Sequence, residues 1–189
     1  AHSLGGSVAL RYAGIYPENV EKLVVIEGTG GPPAELENRP VHERMREWID
    51  HTRKASGRQP KRYETLEDAY TRMHEENSHL REDQARHLTI HGSNQNEDGS
   101  YSWKFDNYTH VMNPFGLTRE QSRELWSRID KPVLLVSGSE SWFAQEGRED
   151  PLPYFQNASH VQIRNAGHWL HHDQLAEFLS ITREFLAKD

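Results

Sequence analysis

Residues 1–6 read Ala1-His2-Ser3-Leu4-Gly5-Gly6, and the reading of the whole chain starts from them. A serine with a small residue two places away on each side matches a strand–turn–helix motif. In that motif the serine stands at the apex of a sharp turn with its hydroxyl exposed. Small side chains are expected at Ala1 and Gly5 because strand and helix cross closely there. The usual pattern has glycine at both places, so alanine at position 1 is a mild departure. Behind the serine, Leu4, Val8, Ala9, Tyr12 and Ile15 recur at helical spacing up to Tyr16, and Pro17 lies just beyond. The stretch predicts a nucleophile turn followed by an amphipathic helix.

Residues 1–27, A-H-S-L-G-G-S-V-A-L-R-Y-A-G-I-Y-P-E-N-V-E-K-L-V-V-I-E, resemble the middle of an α/β-hydrolase-fold enzyme. Asn165-Ala166-Gly167-His168-Trp169 resembles the histidine loop near the C-terminus of the same family. The match covers both ends of the chain and not its middle. It implies an α/β fold class: parallel sheet strands with flanking helices, plus an inserted, mostly helical cap. It also implies a chain that starts about halfway through such a protein. The layout expected is residues 1–30 as elbow, helix and strand of the core, 31–117 as cap, and 118–189 as the C-terminal part of the core.

The 189 residues are enough for a sizeable core. Only 34% of them are apolar, with a mean hydropathy of −0.90, and the polarity is concentrated between Gly28 and Asp130, as an exposed insertion would give. A net charge of −7 argues against a nucleic-acid surface, and no apolar run approaches a membrane span. The absence of cysteine excludes disulfides and thiolate metal sites and fits a cytoplasmic location. No H-E-x-x-H or other metal-binding spacing occurs, and no cofactor is expected. The sequons at Asn107 and Asn157 read as chance matches.

In chain order, Val20–Ile26 suits a central parallel strand buried on both faces, ended by Glu27 and a Gly-Pro-rich loop. Helical patterns follow at Val41–Ala55, Thr65–Asn77 and Glu82–His91, the second opening on a Thr65-Leu-Glu-Asp68 start. Tyr101, Trp103 and Phe105 alternate with polar residues, which predicts a short strand or arm with the aromatics inward. Thr118–Arg128 reads as a helix, Val133–Val136 and Ala158–Arg164 as strands, and Leu175–Ala187 as a last helix packing Phe178, Leu179, Ile181, Phe185 and Leu186 on the sheet.

Serine needs an adjacent base, and the base needs an orienting acid. In this fold the order along the chain is serine, acid, histidine. The resemblance makes Ser3 the nucleophile, His168 the base and the Leu4 amide one oxyanion donor; the other donor belongs to an earlier loop. The acid has two places. In most relatives it follows the strand read at Val133–Val136, three residues after a glycine, but Ser141 stands there. Glu140 is one residue away, with Glu146 and Asp150 further along. A second arrangement, resembling the haloalkane dehalogenases, puts the acid after the strand that follows the elbow helix, where Glu27 stands. Glu27 is preferred, with Glu140 as the alternative. His2, Trp103 and Trp169 are pocket candidates, and His171 and His172 read as surface residues. A serine nucleophile implies an acyl-enzyme and a small-molecule acyl substrate, with a non-catalytic small-molecule binder or an inactive fragment as rivals. The fragment on its own is expected to be inactive.

Overall fold

Three short parallel strands carry the frame of the protein: β1 (Leu23–Ile26), β4 (Val133–Gly138) and β5 (Ala158–Ile163), in the order β1-β4-β5. The computed structural model describes residues 1–29, 39–111, 114–142 and 150–188. The chain divides into two units, Ala1–Pro32 with Leu117–Asp189, and Pro33–Gly116.

In the first unit Leu23 pairs with Val133, Ile26 with Val136 and Gly138 with Ile163. The central strand β4 is V-L-L-V at its core, buried on both faces, as a parallel strand between two neighbours requires. Its side chains alternate between two clusters. Val133 and Leu135 pack with Leu10 and Ala13 of α1 (Leu4–Ile15), with Trp126 of α5 (Arg119–Ser127) and with Ile129. Leu134 and Val136 pack with Ile26, Ile163, Ala166 and Leu170, covered by Phe178, Ile181 and Phe185 of α7 (Leu175–Ala187). Full burial of a Leu or Ile side chain is worth about 1.5–3 kcal/mol, so these clusters dominate the stability of the unit.

Three expectations change. Strand β1 begins at Leu23 and, among the described strands, lies at one edge of the order with β5 at the other, its far side bearing a bridge from His2 to Ile26. Helix α1 buries Gly6, Leu10, Ala13 and Gly14, while Leu4 (67% exposed), Val8, Tyr12 and Ile15 face outward. Its apolar periodicity thus marked the helix but not the face packed on the sheet. Leu186 at the end of α7 is also exposed.

The crossing of α1 over the strand is closest one residue later than the motif suggests. A Cβ on Gly6 would stand 2.8 Å from Gly28 Cα, whereas among the described residues one on Gly5 would meet nothing within 4 Å. Ser7 Oγ donates to Gly28 O at 2.9 Å and fixes the same crossing.

The second unit holds α2 (Val41–Ser56), α3 (Leu66–Glu76), α4 (Glu82–Gly92) and an antiparallel hairpin of β2 (Ser93–Gln95) and β3 (Tyr101–Trp103). Thr65 caps α3 reciprocally with Asp68, satisfying two open amides of the first turn. The inward aromatic alternation is not what forms: in β3 the buried residue is Ser102, which donates to Asn96 Oδ1, and Phe105 is exposed. The hairpin turns at Gly99, whose φ of 85° suits glycine.

Candidate active site

Three non-glycine residues among those described have left-handed backbone: Ser3 (φ 52°), Glu27 (φ 53°) and Asn165 (φ 53°). Each follows strand-paired backbone in the first unit. Ser3 comes after the His2 bridge, Glu27 directly after β1, and Asn165 just past β5. Such conformations cost about 1–3 kcal/mol and persist where the surroundings hold them, commonly at sites of function. The surroundings here are the sheet itself: Ser3 N donates to Ile26 O at 2.8 Å and Glu27 N to Val136 O at 2.9 Å.

The turns bring together side chains far apart in sequence. Ser3 Oγ lies 2.9 Å from His168 Nε2, and His168 Nδ1 lies 3.2 Å from Glu27 Oε2. A carboxylate can only accept, so Nδ1 carries the proton, and the bare Nε2 accepts from the serine hydroxyl. Glu27 is 2% exposed, and a buried carboxylate needs hydrogen-bond donors. It has them: Gly138 N donates to Oε1 at 2.7 Å and Ser141 Oγ to Oε2 at 2.5 Å.

The histidine loop is held by main-chain contacts. Glu140 N donates to Ala166 O at 3.0 Å, Asn165 N to Ser139 Oγ at 3.0 Å, and Gly167 N to Asp173 Oδ2 at 2.8 Å. Gly138 allows this approach, because a Cβ there would stand 2.4 Å from Ala166 O and 2.5 Å from Gly167 O. Leu4 is the first residue of α1, so its amide belongs to those that intrahelical bonding leaves open.

The other sequence candidates fall as follows. Glu140 is exposed, and its amide ties down the histidine loop. Glu146 lies outside the described residues. Asp150 accepts from Leu152 N at 3.0 Å in its own turn. His2 is half-buried: its Nε2 lies 2.8 Å from His168 O, and burial holds its pKa below the usual histidine range. Trp169 packs at 5.6 Å from the His2 ring. Trp103 belongs to the second unit, where Nε1 donates to the Tyr63 hydroxyl at 3.2 Å. His171, expected at the surface, is largely buried. Burial, helped by neighbouring His2, His172 and His168, pushes its pKa from 6.5 to about 4.

Two partners of the site were not foreseen, Ser141 beneath Glu27 and Trp142, whose ring lies 5.0 Å from that of His168. The signal for Ser141 was the parallel register, which sets the ends of β1 and β4 side by side. Among the described residues, no group of three or more His, Asp or Glu side chains is placed to hold a metal ion, and no helix is long and apolar enough to cross a membrane.

Comparison with known proteins bears on the fold. A sequence model of the alpha/beta hydrolase fold matches residues 1–175. A serine hydrolase-like protein of Danio rerio is 26% identical over 144 residues, covering 75% of this chain and 44% of its own length. Among solved structures, a hypothetical protein of Pseudomonas aeruginosa PAO1 is 23% identical with a TM-score of 0.80, covering 99% of this chain and 66% of that one. The thioesterase domain from the curacin biosynthetic pathway is 22% identical with a TM-score of 0.75, covering 99% and 65%. The chain thus spans less than half the length of the curated relative and about two thirds of the two structures.

Proposed function

The chain belongs to the α/β-hydrolase fold family, and on that premise we propose that it carries the nucleophile, base and acid of a serine hydrolase acting on ester or related acyl bonds. The observation that supports this reading is the hydrogen-bonded run from Ser3 Oγ through His168 to Glu27. A serine hydroxyl is a weak nucleophile at its own pKa, and a bare imidazole nitrogen 2.9 Å away is the base that activates it.

Ser3 Oγ attacks the acyl carbon while its proton passes to His168 Nε2. The carbonyl π electrons move to oxygen, where the Leu4 amide offers a donor. Collapse expels the leaving group, which takes the proton from His168 and leaves the acyl group on Ser3. Water then repeats the cycle: its proton goes to His168, its oxygen attacks the acyl carbon, and the acid departs as Ser3 regains its proton. Glu27 stays ionised and stabilises the imidazolium formed in each half. The steps need no cofactor. The second unit, inserted between β1 and α5, takes the part of a helical cap that selects the acyl substrate.

Labelling of the full-length protein with a fluorophosphonate probe and its hydrolysis of a p-nitrophenyl ester test the reading, with Ser3→Ala expected to abolish both. A folded wild type that stays unlabelled but binds small apolar molecules would overturn it in favour of a non-catalytic binder.

A further inference from the structure

His2 precedes the nucleophile, yet its side chain points at the base. Its Nε2 lies 2.8 Å from the main-chain oxygen of His168, 166 residues along the chain. A carbonyl oxygen only accepts, so Nε2 carries a proton and donates. The ring is packed as well, 4.7 Å from the His168 ring, 5.6 Å from Trp169 and 4.7 Å from His171.

The backbone of His2 is itself fixed. It bridges to Ile26, and Ser3 N donates to Ile26 O, so residues 2 and 3 ride on β1, the strand that ends in Glu27. His168 arrives from the opposite edge of the three-stranded sheet, on the loop after β5. The ties from Ser139, Glu140 and Asp173 hold residues 165–167 to β4 and to α6 (Leu170–Asp173). The contact from His2 is made at residue 168 itself.

We propose that His2 is a positioning residue, a strut that spans from the nucleophile's strand to the main chain of His168 and sets the distance between Ser3 Oγ and the imidazole. This rests on the serine-hydrolase reading for its effect on rate, but not for its effect on the ring of His168. The donor Nε2–H is present in neutral and protonated imidazole alike, so the strut needs a donor at that reach and not a charge. Glutamine places its Nε2 at a similar distance from the backbone; asparagine is too short.

The test is a series of His2→Leu, His2→Asn and His2→Gln with three readouts: turnover of a p-nitrophenyl ester, melting temperature, and nitrogen-15 NMR of the histidine rings. Misplacement of a reacting group by about 1 Å costs on the order of 100-fold, so His2→Leu and His2→Asn should lose between about 10- and 100-fold in kcat with KM little changed. His2→Gln should recover most of the loss. By NMR, His168 should hold one tautomer in the wild type and in His2→Gln, and exchange between states in His2→Leu. A wild type without turnover but with this NMR pattern would keep the strut and remove the hydrolase reading. An unchanged His168 ring in His2→Leu, or losses that follow melting temperature with no rescue by glutamine, would overturn the strut.

Discussion

Ser141 Oγ and His168 Nδ1 meet the same oxygen of Glu27, at 2.5 and 3.2 Å. The hydroxyl and the imidazole therefore share one carboxylate oxygen, while Gly138 N holds the other. Removing the hydroxyl leaves a buried carboxylate short of a donor, which costs about 1–3 kcal/mol. Ser141→Ala should lose that much in urea unfolding and lower kcat, and Ser141→Thr should retain more of both. Ser141→Asp should be the worst of the three, because two carboxylates cannot both ionise at that separation. An aspartate variant as stable and active as wild type would show that Ser141 does not bear on Glu27.

Glu27→Gln should keep the fold and lower kcat by roughly 10⁴-fold, as the corresponding amide swap does in serine proteases, because an amide neither stabilises the imidazolium nor holds its tautomer. Glu140→Gln should cost little, since an exposed charge acts only through a screened field. Kinetics of the two nearly isosteric variants give opposite rankings for the two acids. A steep loss at Glu140 with Glu27→Gln near wild type would exchange their roles.

Gly138→Ala forces a Cβ to within 2.4 Å of Ala166 O, and both neighbours of that Cβ are backbone that cannot rotate away. Overpacking of this kind costs about 1–3 kcal/mol. The histidine loop has to move to make room, so activity should fall further than stability does. Melting curves and kcat measured on one preparation check this; a variant destabilised but fully active would detach the loop's position from Gly138.

His171 gives the protein a dependence on pH. Its pKa is about 4 when folded and 6.5 ordinarily, so between those values the unfolded chain binds a proton that the folded site refuses. Stability from this residue is complete above about pH 6.5 and declines as the pH falls toward 4. The lowered pKa of His2 acts in the same direction. His171→Phe should flatten that decline, read as a difference in melting temperature from wild type that grows between pH 7 and pH 4. A difference independent of pH would exclude the histidine as its source.

The sequence yielded the positions that are fixed by local chemistry. Ser3 was legible because a turn that exposes a hydroxyl demands small neighbours, and β4 because a fully buried parallel strand is an unbroken apolar run. The inward face of α1 was not legible: Leu10 and Ala13 pack the sheet, while the larger Leu4, Val8 and Tyr12 look outward. Periodicity reports that a helix has an apolar stripe, not what meets it. Glu27 was singled out by the resemblance, which puts an acid after the strand that follows the elbow helix, but its partners could not be, because Gly138 and Ser141 reach it only through the register of β1 on β4. Of the hairpin, β3 was read as a short strand from its alternation, while β2 and the inward face of the hairpin escaped for a related reason. Ser93 and Ser102 sit inside it, satisfied by hydrogen bonds to Thr89 and Asn96, and polar burial leaves no hydropathic trace.

The left-handed backbone of Ser3 also constrains how such a chain can drift. At φ 52° and ψ −121° a side chain is a burden that glycine would lift, and the relief, of the order of 1–3 kcal/mol, exceeds what glycine loses through the greater freedom of the unfolded chain. Selection for stability alone would therefore erase the serine, and only a requirement for its hydroxyl would keep it. A descendant that had ceased to turn over substrate should carry glycine at position 3 and melt at a higher temperature than its ancestor, so residue identity at this one turn records whether a lineage still uses the site.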